Sequence, residues 1–274
     1  MTVDLNRALS EARPMPSGFL RSRCPFCWEL EGSRPRKLNF AINPETGSYS
    51  CWKCSKWGRF SDLSTLANLK LTVVKVDQFE PPESFVALRD VRDNFGEHLG
   101  AYLYVNRTRG VSDEAIDACE IGHCTTGQYA GCVVIPVKEF GEWRGFVARK
   151  LTKSEYRYPS GMQRGSLFFN GDALWQSTDE PIMLVEGCLD ALPYWPNAVA
   201  VLGKPSAEHK RILQSVKRPL AICMDADAQG TGWALAEVLK LQGVNAKYIS
   251  LPPGYDPAEV DPVWFHGMVE NAFQ

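Results

Sequence analysis

Two cysteine pairs, Cys24-Pro-Phe-Cys27 and Cys51-Trp-Lys-Cys54, stand 23 residues apart in this chain. A C-x-x-C turn aims two thiolates at one point, and two such turns complete a closed tetrahedral site of the kind that holds zinc. The separation is slightly longer than the usual ribbon spacing. A hairpin pairing Leu38–Ile42 with Ser48–Cys51, turning at Pro44–Gly47, absorbs the excess. The competing reading is a redox dithiol or two chance pairs, but two pairs with aromatic neighbours rarely coincide. A closed four-cysteine site has no open position, so zinc here is expected to hold a small domain together and do no chemistry. Around it lie Arg21, Arg23, Arg34, Arg36, Lys37, Lys53, Lys56 and Arg59, with Trp28, Phe40, Tyr49, Trp52 and Trp57 among them. Basic groups that track phosphates and aromatic faces that stack on bases suit single-stranded nucleic acid. A small ribbon also needs a core, so most of these aromatics are expected inside, with one or two facing a ligand.

The other five cysteines, Cys119, Cys124, Cys132, Cys188 and Cys223, sit mostly beside aliphatic residues and read as buried small hydrophobes. A net charge of −2 conceals an uneven distribution. Phe19–Phe60 carries eight Lys/Arg against three Asp/Glu, Arg144–Arg164 six against one, and Asp172 to the end seven against thirteen. Two basic segments and one acidic segment suit a protein that holds polyanions with one part and metal cations with another. Met1–Pro16 lacks the apolar stretch of a signal peptide, and no apolar run is long enough to span a bilayer. A cytoplasmic protein with no membrane partner is expected.

The chain divides into a zinc-ribbon domain over 1–72, a linker over 73–84 marked by Pro81-Pro82, a basic subdomain over 85–175 and an α/β domain over 176–274. The basic subdomain opens on a helical-looking stretch. It then turns to strands at Gly131–Val137 and Trp143–Leu151, joined near Phe140-Gly141-Glu142. In the last block, short apolar strands at Ile182–Val185, Ala198–Leu202, Leu220–Met224 and Ala246–Leu251 alternate with helical patterns at Leu189–Trp195, Ala207–Val216 and Trp233–Leu241. Such alternation predicts a parallel sheet with right-handed crossovers. The expected class is therefore α/β in that block and α+β overall.

In parallel sheets function gathers at the carboxyl ends of the strands. Ile182–Val185 is followed there by Glu186-Gly187, with Asp190 one helical turn on. Leu220–Met224 is followed by Asp225-Ala-Asp227, then Gly230. Carboxylates gathered at one edge repel unless cations sit among them, and an oxygen-only site favours Mg²⁺ or Mn²⁺. The bland alternative is that these acids cap helices. For Asp190 alone the two readings are evenly matched; for E-G and D-x-D together the metal reading is preferred.

Leu184-Val-Glu186-Gly187-Cys-Leu-Asp190 followed by Asp225-Ala-Asp227-Ala-Gln-Gly230 resembles the TOPRIM domain of DnaG-type bacterial and phage primases. Ala200-Val-Leu202-Gly203, Leu251-Pro-Pro-Gly-Tyr-Asp256-Pro, Gly145–Arg149 and Tyr156-Arg157-Tyr158 are similar to further family elements in the same order. Tyr102-Leu103…Arg109-Gly110 resembles the family's Tyr-Leu-x-x-Arg-Gly with longer spacing, and the cysteine ribbon resembles its zinc-binding domain. The resemblance runs from about Cys24 to Pro257. It implies Glu186 as acid/base or metal-organising residue, Asp225 and Asp227 as metal ligands, and Asp190 and Asp256 as supporting carboxylates. It also implies Arg149 and Arg157 against nucleotide phosphates or template, and Lys150 and Lys204 are counted with them. Lys204, Gln229 and Arg157 depart from the family's usual residues, and Arg for Lys changes geometry while keeping charge.

The activity so implied is synthesis of short RNA primers from NTPs on a single-stranded DNA template. A TOPRIM metal-dependent nuclease and a non-catalytic recombination mediator are the alternatives. No G-x-x-x-x-G-K-[ST] occurs, so a replicative helicase is expected as a separate chain. The compact layout leans toward a phage or mobile element.

Overall fold

The computed structural model describes residues 12–15, 19–33, 35–43, 48–54, 56–59, 79–176 and 178–274. They fall into two compact units, Met1–Asp77 with Trp175–Thr178, and Gln78–Leu174 with Asp179–Gln274.

The first unit is a five-stranded antiparallel sheet in chain order, β1 (Arg13–Pro14), β2 (Leu20–Ser22), β3 (Phe40–Ile42), β4 (Ser48–Cys51) and β5 (Trp57–Arg59). Helix α1 (Pro25–Glu31) follows β2: Pro25 starts it, the Cys24 sulfur accepts from the Cys27 N–H, and Gly32 ends it at φ +62°. Expected and observed hairpins agree, with Phe40 opposite Cys51 and Ile42 opposite Tyr49. The turn expected at Pro44–Gly47 lies outside the described residues. So does the linker expected at 73–84 as far as residue 78.

The second unit has two sheets. One is antiparallel and runs in order β6 (Phe85–Ala87), β7 (Gly122–Cys124), β8 (Cys132–Glu139), β9 (Glu142–Lys150) and β10 (Tyr156–Arg157). The turn between β8 and β9 is the expected one, Phe140 at φ +54° and Gly141 at +82°, the primed geometry that matches strand twist. This block opens on strand β6, not on the expected helix. Phe85, Val86 and Ala87 pair with Cys124, His123 and Gly122, and that long-range pairing overrides the local pattern. Helices α2 (Leu99–Leu103) and α3 (Asp113–Ala118) follow, separated by a π-helical turn over Tyr104–Thr108.

The other sheet is parallel, made of β11 (Ile182–Val185), β12 (Ala198–Ala200), β13 (Leu220–Ile222) and β14 (Ala246–Tyr248) in spatial order β12-β11-β13-β14. Its crossovers carry α4 (Cys188–Ala191), α5 (Ala207–Leu213) and α6 (Gln229–Leu241). Both central strands are buried at every residue, as expected of a sheet covered on both faces. The last three strands stop two or three residues short of the expected ends. In β12 the reason is visible: Leu202 turns to φ +60° and Gly203 to +122°. A last helix, α7 (Pro262–Phe273), lies beyond the expected pattern, although Asp261 caps it and Phe265 and Val269 lie i,i+4 in the core.

One hydrophobic core joins the two sheets of the second unit, and a smaller cluster of Cys124, Cys132, Val134, Phe146 and Ala148 covers the other face of the antiparallel one. The shared core takes Val133, Ile135, Val137 and Val147 from one face of the antiparallel sheet and Met183, Val185, Ala221 and Cys223 from the parallel one. The basic and acidic blocks are therefore packed as one body. Cys124, Cys132, Cys188 and Cys223 are buried, Cys119 is half-buried, and all are free thiols, as expected. No described helix is long and apolar enough to cross a membrane.

Gly122 is where β6 and β7 come closest: a Cβ there would lie 2.1 Å from the Phe85 ring and 2.6 Å from the Val86 carbonyl oxygen. Because backbone blocks the way, Gly122→Ala should destabilise the second unit by about 1–3 kcal/mol, as overpacking does. Chemical denaturation followed by near-UV circular dichroism checks this.

Candidate metal centres

In the first unit the sulfurs of Cys24, Cys27, Cys51 and Cys54 all lie within 4.8 Å of one another. Cys24 and Cys54 are 3.7 Å apart, as are Cys27 and Cys51. Zinc–sulfur bonds of about 2.3 Å in a tetrahedron set sulfurs roughly 3.8 Å apart, so the donors fit that ion. The Cys27 and Lys53 amides each donate to a sulfur at 3.4 Å, on Cys24 and Cys51 respectively. Burial and then the charge of Cys51 push the Cys27 thiol up to about 12, a crowding that a shared cation relieves.

The ribbon's aromatics divide as the need for a core requires. Phe40 and Tyr49 pack with Phe26 at centroid distances of 5.3–6.0 Å. Trp52 lies 5.2 Å from Trp175 of the same unit, under the Arg21 guanidinium. The basic residues divide too. Arg21 and Arg23 donate to the carbonyls of Leu38 and Pro35, and Lys53 pairs with Glu31, whereas Arg36, Lys37 and Lys56 are at least partly exposed. Arg34 and the side chains of Trp57 and Arg59 lie outside the described residues.

In the second unit the topology selects one edge. From β11 the chain crosses to β12 on one side, and from β13 it crosses to β14 on the other. Adjacent parallel strands whose connections diverge open a crevice beyond their carboxyl ends, where ligands of open α/β sheets bind. Glu186 follows β11 and Asp225 lies just past β13. The Cys223 N–H to Leu184 O bond (2.9 Å) carries the pairing almost to them.

Their carboxyls sense one another. Burial, then Asp190, Glu186, Asp256 and Asp227, push Asp225 up to about 7. Burial and Asp256 push Asp190 up to about 6, against the pull of Arg109. Glu186 is raised by burial and by Asp227, and lowered by Lys204. Asp225 Oδ1 is buried with no hydrogen-bond partner. An orphaned oxygen in an all-oxygen, like-charged set fits a hard divalent cation. Among the described residues, however, no three of these carboxylates bring oxygens within 4.8 Å of each other; only the thiols do. The acids share a crevice without closing on a single point.

Local backbone explains the motif residues. A Cβ on Gly187 would sit 2.6 Å from Asp190 Oδ2, so the glycine makes room for that carboxylate. The Gly203 N–H donates to the Glu186 carbonyl at 3.1 Å, and the left-handed Leu202 before it holds the turn that brings Lys204 to this edge.

The basic residues predicted together are separated by the two-residue period of their strands. Arg149 faces the shared core with Val147; it lies opposite Tyr156, over whose ring its guanidinium sits at 5.1 Å. Its Nε is buried without a partner. Lys150 and Arg157 face the other side, where they donate to the carbonyls of Ala130 (2.5 Å) and Gln128 (2.7 Å). Arg109 is the charge that the site prediction left out. The π turn's i→i+5 closure takes up the longer spacing before Arg109, whose Nε donates to the Tyr104 hydroxyl at 3.0 Å. The Tyr…Arg-Gly pattern was the available signal.

A carboxylate whose pKa is raised by folding adds stability below its unfolded pKa and loses it as pH rises through its folded one. For Asp225 that window runs from about 4 to about 7. Asp225→Asn should therefore raise the melting temperature of metal-free protein at pH 8, at about 2–4 °C per kcal/mol. The gain should fade toward pH 4, which scanning calorimetry in chelator will read.

The pattern of the Toprim-like family matches residues 183–261, which include Glu186, Asp225 and Asp256. The chain is 24% identical over 313 residues to a DNA primase of Deinococcus radiodurans, covering 90% of this chain and 54% of that one. To a DNA primase of Geobacillus stearothermophilus it is 23% identical over 315 residues, covering 86% and 52%. It thus spans about half the length of these curated relatives. The fold is also that of the zinc-binding and RNA polymerase domains of the Aquifex aeolicus primase. That match has a TM-score of 0.58 at 19% identity, covering 96% of this chain and 80% of that structure. Ribbon, antiparallel subdomain and Toprim-like sheet come one after another here in the order the sequence resemblance implied.

Proposed function

We propose that this chain, which resembles DnaG-type primases, synthesises short RNA primers on single-stranded DNA by metal-dependent nucleotidyl transfer. The observation that carries the reading is the switch-point cluster of Glu186, Asp225 and Asp227, with its orphaned oxygen, in one chain with a four-thiol ribbon. Zinc would be held by Cys24, Cys27, Cys51 and Cys54, and Mg²⁺ or Mn²⁺ by Glu186, Asp225 and Asp227. Bound there, divalent cations would neutralise an incoming triphosphate and lower the pKa of the attacking 3′-hydroxyl.

The chain's own residues supply orientation and charge. Lys204 beside Glu186 and Arg109 beside Asp190 place positive charge at the rim of an acidic crevice, which suits the phosphates of a nucleotide. Arg149, buried with an unpartnered Nε, is preorganised by Tyr156 and Ser154. Lys150 and Arg157, on the opposite face of the sheet, suit template backbone better than the reacting phosphates. Among the described ribbon residues, Arg36, Lys37 and Lys56 are solvent-facing cations that could track a DNA strand. A helicase would deliver the template.

Labelled NTPs, Mg²⁺ or Mn²⁺ and a pool of single-stranded templates test the reading. Short RNA products are expected, falling by about 10²–10⁴-fold in Glu186→Gln, the usual range for losing an acid/base group. Template degradation in place of RNA would reassign the site to a nuclease. Metal analysis of the purified chain should find one zinc, lost in Cys51→Ser.

A further inference from the structure

We infer that Asp256 is a positioning residue, a brace for the Asp225–Asp227 loop, and not itself a ligand of the catalytic cation. The inference rests on the proposal that Glu186, Asp225 and Asp227 bind divalent metal. Asp256 is separated from Ala226 by 30 residues of sequence, yet its Oδ1 accepts the Ala226 N–H at 3.1 Å. That amide lies between the two aspartates of the D-x-D segment. The same carboxylate accepts the Glu259 N–H at the start of the 3₁₀ turn Pro257–Glu259, and the Asp256 N–H donates to Glu259 Oε2 at 3.1 Å in return. Such a reciprocal capping box uses the carboxylate as an acceptor and fixes its rotamer.

The turn is itself tied down. The buried Tyr194 hydroxyl reaches the Pro257 carbonyl at 2.6 Å and the Val260 carbonyl at 3.2 Å. Tyr194 belongs to the segment that continues α4 just after Glu186-Gly187. A continuous chain of contacts therefore runs from the β11 connection through Tyr194, the Pro257 turn and Asp256 to the backbone between Asp225 and Asp227. It sets the spacing of the two strand ends that carry the acids. The two carboxylates differ sharply in their needs. Asp225 Oδ1 is buried without any hydrogen-bond partner, whereas Asp256 already accepts two amides. A cation satisfies the first, whereas the second already has two of its acceptor positions engaged by backbone donors.

Asn caps helical turns as well as Asp does and keeps an oxygen for the Ala226 amide, so Asp256→Asn separates bracing from ligation. Two readouts that need no turnover apply: Mn²⁺ affinity by calorimetry, and exchange protection of the Ala226 amide by NMR. Asp256→Asn should keep Mn²⁺ affinity within about tenfold and keep the amide protected, since it loses a neighbouring charge but no ligand. Asp256→Ala should lose about tenfold in protection, the worth of one hydrogen bond. Its Mn²⁺ affinity should drop by about 10–100-fold, as when an outer partner of a metal site is removed. Asp225→Asn should weaken Mn²⁺ binding with the Ala226 amide still protected. An Asp256→Asn chain that loses as much Mn²⁺ affinity as Asp225→Asn, with Ala226 protected, would make Asp256 a ligand and overturn the inference. So would an Asp256→Ala chain with unchanged protection. A wild-type chain that binds no Mn²⁺ would sink the metal-site proposal instead, and Ala226 protection would still decide the brace.

Discussion

Parallel pairing of two short buried strands is the constraint on which the rest of the second unit depends. Ile182, Met183 and Leu184 are in register with Leu220, Ala221 and Ile222, so the strands finish nearly level. The residues just past each strand must emerge into the same crevice, because the connections leave in opposite directions and nothing crosses between them. Glu186 and Asp225 are brought close in the first place for that reason. Strand pairing makes neighbours of groups that electrostatics would keep apart, and the hydrophobic core under both sheets supplies the free energy that holds them there.

Such crowding leaves marks. Two aspartates are pushed up to about 6 and about 7, one buried oxygen lacks a partner, and Leu202 adopts a left-handed backbone where the sheet edge needs a tight turn. Departures from ordinary stability rules gathered at one sheet edge make that edge a candidate functional site. The cations around the crevice reduce the repulsion without closing it: Lys204 acts on Glu186 and Arg109 on Asp190. A hard divalent ion would relieve the repulsion that remains.

The ribbon meets the same difficulty on a smaller scale. A three-ring cluster of Phe26, Phe40 and Tyr49 with Leu20 and Ile42 is a modest core. Four thiols converging within 4.8 Å would supplement it, with a cation bound among them, by a cross-link made of coordination bonds. Here too like-charged donors converge, and here the geometry does close on one point. The difference lies in the scaffold. Each C-x-x-C turn carries its two sulfurs on adjacent backbone, while the carboxylates depend on separate strands and a remote brace.

Much of this was legible from residue order. Cysteine spacing specified the thiol cluster because both members of each pair sit on one short turn. Apolar runs alternating with helical patterns announced the parallel sheet, and E-G and D-x-D at two strand ends marked the edge where the carboxylates gather. A signal for helix α7 was present too, in Asp261-Pro262 and the i,i+4 pair Phe265 and Val269. The partition of Arg149 from Lys150 and Arg157 could not be read, because it turns on which face of β9 meets the core. Strand β6 was hidden for a similar reason, since three residues hold strand conformation only through a partner found 35 or more positions later. The sequence by itself determined which chemical groups exist and the local elements that carry them, since those depend on spacing, periodicity and turn chemistry. Only the tertiary structure decided strand order, the facing of Arg149, the reach of Arg109 across its π turn and the bond from Asp256 to Ala226. Each of those depends on contacts between residues far apart in the chain, whose formation rests on the packing of the whole domain and not on any local preference.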